Sequence, residues 1–222
     1  MRPPAARCAT RAFRALPAVL CVLCSSRALA EAPLSADAVE TPPAGREVAI
    51  VLDGAIGGGS GWDGHGKLAV DLLPRLRFSA FEIGVVAGAS AALFQGQDGY
   101  YGIVAGYRRR LSSLLELELL GEGGRHDATV YPGLFSSGRG EATLAYVGGR
   151  AGLDARFGGR VKLLVGVWGI VRSDLERKHV VAQVTTGGLG GASTALHDFG
   201  DVGGTSFQLV VRIGTEIGLG DR

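Results

Sequence analysis

From residue 46 onward, apolar and polar positions alternate with a period of two. Successive side chains of a strand point to opposite faces, so this is the strand period. In the last segment Phe207, Leu209, Val211, Ile213, Thr215, Ile217 and Leu219 share one face. Ser206, Gln208, Val210, Arg212, Gly214, Glu216 and Gly218 share the other. Val161, Leu163, Val165, Val167 and Val171 likewise oppose Lys162, Gly166, Trp168 and Arg172. The same split recurs around Leu115, Leu117 and Leu119, around Tyr101–Tyr107, around Phe81–Ala89, around Leu68–Phe78 and around Val48–Ile56. The eighth segment changes phase: Leu144 and Tyr146 share a face, whereas lower down the apolar set is Leu153, Ala155 and Phe157. Gly148-Gly149 lies between them, and a β-bulge there would shift the phase by one. The pattern predicts eight strands, each long enough to cross a bilayer at the tilt of a barrel strand.

The apolar faces are almost free of charge, with Arg109 and Arg150 as the ambiguous positions. The polar faces carry nine acids (Glu47, Asp53, Asp71, Glu82, Glu116, Glu118, Glu122, Asp154, Glu216) and nine bases (Lys67, Arg75, Arg77, Arg108, Arg110, Arg156, Lys162, Arg172, Arg212). In a soluble sandwich such a face is simply solvated. Two features point instead to a closed membrane barrel with the charges inside. Strand connections alternate between short turns (Ser79-Ala80, Leu111-Ser112, Gly158-Gly159) and stretches at 58–66, 95–99, 123–140 and 173–205, the last two much longer. Short periplasmic turns and long outer loops mark outer-membrane barrels. Aromatic residues also gather at both ends, with Phe78, Phe81, Tyr107 and Phe157 at one and Phe94, Tyr101, Tyr146 and Phe207 at the other. Rings at both interfaces form the girdles of a barrel.

Hydrocarbon requires closure, because an open edge leaves backbone groups unpaired at several kcal/mol each. Eight strands leave an interior just wide enough for side chains to fill. The expectation is an all-β, eight-stranded antiparallel up-and-down transmembrane β-barrel. Buried charges need partners, so the interior is expected to be a salt-bridged plug rather than a pore. Its core set is Glu82, Arg108, Glu116, Glu118, Arg156, Lys162, Arg172, Arg212 and Glu216.

Composition sharpens this picture. Residues 1–30 hold five arginines, no acid, a short apolar run at 15–24 and a small-x-small site at Ala28-Leu29-Ala30. That pattern predicts a secretory signal cleaved near Ala30, and the run is about half the ~20 residues of a spanning helix. Residues 31–45 are Pro- and Ala-rich and read as a flexible periplasmic lead-in, leaving 46–222 as the barrel. Of 23 Lys and Arg, five lie in the signal, so the remainder carries 18 bases against 21 acids, a net charge of −3. That excludes a polybasic footprint, so no nucleic-acid partner is expected. All three cysteines (Cys8, Cys21, Cys24) lie in the signal segment. Disulfide, thiol and zinc-thiolate chemistry is thereby excluded from the rest, and no cofactor or metal is expected. All 37 glycines follow residue 30, a density that argues against a helical protein.

On these features the chain, over about residues 46–220, resembles the small eight-stranded outer-membrane barrels of the OmpA/OmpX type. Such barrels carry an assembly signal in their last strand: polar, x, Gly, x, x, apolar, x, apolar. Arg212, Gly214, Ile217 and Leu219 match it in order, with aliphatic rather than aromatic side chains and with Gly220-Asp221-Arg222 following. The resemblance implies an outer membrane of a Gram-negative bacterium, contact with its lipid, and insertion by the barrel-assembly machinery. It implies a structural or surface-recognition role, with an unknown surface ligand taken by the loops at 123–140 and 173–205.

Other chemistry is weaker. His65, His126, His179 and His197 all fall in predicted outer loops and read as exposed. His126-Asp127 and His197-Asp198 would suit acid–base work only with the right geometry, so a lipid-modifying enzyme is the alternative function. Gly57–Gly61 lacks the Lys-Ser/Thr of a phosphate-binding loop and reads as a mobile loop. His179–Thr186 is strand-like within the longest loop, with no evident partner. A third reading turns the faces inside out: a secreted soluble barrel whose apolar face lines a ligand cavity.

Overall fold

Pairing of the alternating segments produces one closed ladder. The computed structural model describes residues 48–92, 96–132, 136–188 and 191–219. The signal segment, the lead-in, Glu47 and Phe94 lie outside the described residues. The staves are β1 (Val48–Ser60), β2 (Gly66–Leu72) continued by β3 (Arg75–Phe78), β4 (Phe81–Ala92), β5 (Gly96–Arg110) and β6 (Leu115–Val130). After the two-residue β7 (Ser136–Ser137) come β8 (Gly140–Gly158) and β9 (Val161–Asp174). A hairpin of β10 (Lys178–Gly188) and β11 (Gly191–Val202) precedes β12 (Thr205–Gly218). Each stave pairs antiparallel with its neighbours in chain order, and β12 pairs with β1 to close the cylinder. The fold is thus an all-β, eight-stranded antiparallel up-and-down barrel, with β10, β11 and β7 forming a separate three-stranded sheet.

The second stave is interrupted at Leu73-Pro74 because proline has no N–H to give the ladder. Alternation survives the break: Asp71, Leu73, Arg75 and Arg77 are buried while Leu72, Pro74, Leu76 and Phe78 are exposed. Residues 79–80 make the tight turn into β4, with Ser79 at φ 56°. Residues 111–114 and 159–160 make the other two short turns, so the turn after β8 falls one residue later than the Gly-Gly pair suggested.

Four expectations need correction. There is no bulge at Gly148-Gly149, since β8 runs in unbroken register against both β6 and β9. Leu144 and Tyr146 face inward instead, at 1% exposure each. The apparent phase change is a change of interior composition, because Leu144 joins an apolar cluster with Ala128, Ala142, Val180 and Val202. Second, the glycine run at 57–61 is no loop: β1 continues to Ser60 and pairs there with β12. Third, the stretch 123–140 is mostly ladder, because β6 reaches Val130 and β8 begins at Gly140; β5 likewise takes in most of 95–99. Fourth, the strand at 179–186 has a partner in β11, with which it forms a hairpin.

Candidate functional site: a charged barrel interior

Strand parity decides which side chains enter the barrel. Those that do are charged to a degree rare in a soluble core. Among the described residues nine acids are buried, opposed by eight lysines and arginines, with half-buried Lys162 as a ninth base. Burial of this many charges is tolerated only where each is paired.

The layer nearest the short turns centres on Arg75 and Arg77. Arg75 donates to Asp53 (2.8 Å), Glu118 (2.6 Å) and Glu82. Arg77 pairs with Glu82 (2.8 Å), Glu116 (3.4 Å), Glu118 and Glu216. Arg156 bridges Glu116 (2.5 Å) and Glu216 (2.7 Å), and Lys162 reaches Glu216 at 2.8 Å. Arg108 donates to Glu116 (3.0 Å) and to the Ser79 carbonyl (2.8 Å). Arg212 contacts Asp53 (2.5 Å), Asp154 (2.7 Å) and Glu118 (3.0 Å). The carboxylates of Glu82, Glu116 and Glu118 come within 4.8 Å of one another, a spacing that could hold a cation. Here Arg75 and Arg77 supply the positive charge.

Above it, Arg150 and Arg172 share two acids. Asp71 lies 2.9 Å from each, and Glu122 takes Arg172 at 2.6 Å and also takes Arg150. Trp168 separates the layers. Its Nε1 donates to Asp154 (3.1 Å), and the guanidinium of Arg212 lies 4.7 Å from its ring. A cavity of about 10 Å³ between Asp53, Asp71, Arg150, Trp168 and Arg212 has room for about one water molecule.

The top layer surrounds His126, which is fully buried. Its Nδ1 lies 2.8 Å from Asp174 and its Nε2 3.3 Å from Asp98. Its ring stacks on Tyr100 at 4.4 Å, and the Arg172 guanidinium lies 4.5 Å from the same Tyr100 ring. Asp98 also takes Lys67 (2.6 Å), the Trp62 indole (3.3 Å) and the Ser90 hydroxyl (3.1 Å). Burial alone would raise Asp98, but His126 and Lys67 outweigh it and hold the carboxyl at about 2. Burial likewise works against a charged His126, yet Asp174 and Asp98 raise its pKa above the ordinary imidazole value. Exposed His179 is raised by Asp201 and Asp198.

All nine residues of the predicted interior set lie in the lower two layers, although Arg172 and Lys162 share no acid. Arg110 is exposed rather than inward, because it ends β5 beyond the last inward position. Arg150, Asp98 and His126 were missed. The parity of Asp154 and Arg156 extended back along β8 would have found Arg150; parity carried past the predicted ends of β5 and β6 would have found the other two. His126 is therefore not an exposed loop histidine, whereas His65, His179 and His197 are exposed. The assembly-signal residues divide by face: Arg212 and Gly214 point inward, Ile217 and Leu219 outward. Of the aromatic residues, Tyr146 is internal, while Phe78, Phe81, Tyr107 and Phe157 are exposed at one end and Tyr101 and Phe207 towards the other. The apolar face lies outside, with Leu68 75% and Ile103 70% exposed. That overturns the inverted reading in which it would line an internal ligand cavity.

No protein-family model matches the chain, and no curated protein matches it. Solved barrels do. Neisserial surface protein A is 13% identical over 77% of this chain and 96% of its own, with a TM-score of 0.49. A major outer membrane protein from Thermus thermophilus is 12% identical over 78% and 99%, with a TM-score of 0.47. Ail, the attachment invasion locus protein of Yersinia pestis, solved with the heparin analogue sucrose octasulfate, is 12% identical over 77% and 99%, with a TM-score of 0.40. The architecture of this chain rests on its own closed ladder.

Proposed function

We propose that this chain is secreted, loses residues 1–30, and inserts into the Gram-negative outer membrane as a plugged, non-enzymatic barrel that presents an outer hairpin for surface recognition. The inverted polarity carries this reading: aliphatic side chains outside, ion-paired charges inside. Soluble monomers rarely leave contiguous apolar patches beyond a few hundred Å² in water. Here every stave offers one, from Leu52 and Ile56 on β1 to Leu209 and Ile213 on β12. Hydrocarbon is the solvent that such a face suits. The ion pairs spanning the lumen favour a plug. Insertion by the barrel-assembly machinery through Arg212, Gly214, Ile217 and Leu219 belongs to the same proposal.

The hairpin supports the recognition role. Among the described residues β11 pairs with β10 alone, and residues 192–198 are exposed on both faces. A free edge can accept a strand from a partner. Isolated outer membranes run on a gel with and without boiling test the membrane reading: a closed barrel migrates differently unboiled, and an unshifted, soluble protein refutes it. Steady, sized conductance in planar bilayers refutes the plug. Removal of residues 183–196 should leave the heat shift intact and lower adhesion of expressing cells to immobilised matrix proteins and glycans; unchanged adhesion refutes the recognition role. Altered lipid A or phospholipid profiles on gene deletion refute the non-enzymatic assignment.

A further inference from the structure

Exposed cations are mostly paired at one end of the barrel and unpaired at the other. Towards the hairpin end Arg125 pairs with Asp127 (3.2 Å), Arg139 with Glu141 (2.6 Å) and Lys178 with Glu176 (3.2 Å), and of the exposed lysines and arginines on the described residues there, Arg177 alone has no acid. At the short-turn end Arg109, Arg110 and Arg160 are exposed. None of the three forms an ion pair or side-chain hydrogen bond with any described residue. The turns at 79–80, 111–114 and 159–160 contain no acid. The nearest internal carboxylates, Glu116 and Glu216, are taken by Arg77, Arg156 and others.

Their depth is also specific. Parity puts Arg109 on the outer face one step beyond Tyr107, which packs edge-on against Phe81 with ring centroids 5.7 Å apart. Beyond the pair, Leu111 and Leu114 are 51% and 53% exposed. The two arginines are bracketed by aromatic and aliphatic surface, along which an arginine stem lies while its head seeks a polar partner. Strands β6 and β8 separate Arg110 from the turn that holds Arg160, roughly 10 Å or more at the spacing of strands in a sheet. That is too far for one small anion to bridge. It suits several headgroups side by side, each taken by a guanidinium that matches phosphate oxygens in a bidentate fork.

We propose that this rim binds the anionic phosphodiester headgroups of the leaflet around the short-turn end. The inference rests on the membrane reading above and adds a lipid class and a side to it. The test refolds the full chain into vesicles of phosphatidylcholine alone and of phosphatidylcholine with one-third phosphatidylglycerol, and follows unfolding by urea. The wild type should unfold at a higher urea midpoint in the anionic vesicles, and high salt should remove the difference. The triple variant R109Q/R110Q/R160Q should match wild type in neutral vesicles and lose most of the rise in anionic ones. R125Q should keep the rise. Inorganic phosphate added to neutral vesicles should shift nothing. An equal rise in wild type and triple variant, no rise at all, or a shift by free phosphate would overturn the proposal. Failure of the wild type to gain the heat-sensitive band even in neutral vesicles would instead sink the membrane reading, and this inference with it.

Discussion

His126 and Asp174 meet at 2.8 Å at the top of the barrel, and the second oxygen of the same carboxylate accepts the Gly204 amide at 2.9 Å. Asp174 ends β9 and Gly204 follows β11, so one imidazole is tied to both roots of the hairpin. The charged outer-face residues Arg125 and Asp127 flank His126 in sequence, which sets this level above the apolar belt.

The tie is pH-dependent in a defined direction. The pKa of His126 is raised in the folded state. Its stabilisation is therefore complete below the unfolded value of about 6.5 and is lost as pH rises through the folded one. Amides of β10 and β11 should lose hydrogen-exchange protection on alkalinisation, after correction for intrinsic rates. H126Q should flatten that dependence; identical profiles for variant and wild type would refute it.

Arg150, Arg172, Asp71 and Glu122 form a closed square of two cations and two anions. R150M leaves an anion in excess and should cost about 3–5 kcal/mol. E122Q should cost a similar amount. The double variant R150M/E122Q keeps the neutral Asp71–Arg172 pair and should cost clearly less than the sum. Urea unfolding in vesicles measures all three.

Trp168 is the largest fully buried side chain among the described residues, between the charge layers. W168A should cost about 3–5 kcal/mol from the void it leaves. W168F keeps most of the ring but removes the donor to Asp154 (3.1 Å), and should cost about 1–3 kcal/mol. Planar-bilayer recordings of W168A should remain silent, because the ion pairs above and below it persist.

Gly106 faces inward where β5 passes β6, and a Cβ there would lie 2.1 Å from the Leu119 carbonyl oxygen. Gly66 has nothing within 4 Å of such a Cβ. G106A should slow or block formation of the heat-shifted band, and G66A should leave it unchanged.

Much of the barrel was legible from period two alone. Along β9 and β12 every charged side chain lies inside and the outer face is almost wholly apolar, so charge reports the face directly even where Leu164, Ile170 and Val210 join the interior. That equivalence fails in the upper half of β8. There the interior turns apolar, with Leu144 beside Val180 and Val202, while Thr143 and Arg125 occupy the outer surface. Polarity alone consequently puts Leu144 and Tyr146 outward and His126 in an exposed loop. The partner of β10 left no period to read, because residues 192–198 meet solvent on both faces. The ion pairs themselves, such as Arg172 with Asp71 across 101 positions of sequence, depend on barrel closure and have no local signature.

The β1–β12 seam pairs Ala49 with Gly218 and continues to Ser60 with Phe207. It joins the first and last described strands of the chain, so the cylinder cannot finish folding until its last strand is in place. Contacts of such long sequence separation form slowly. A polypeptide cut short before β12 would be left with two open edges that hydrocarbon does not tolerate. The closing seam therefore acts as a checkpoint on chain completeness: without β12 the cylinder stays open, and on the proposed function an open cylinder does not settle in the bilayer.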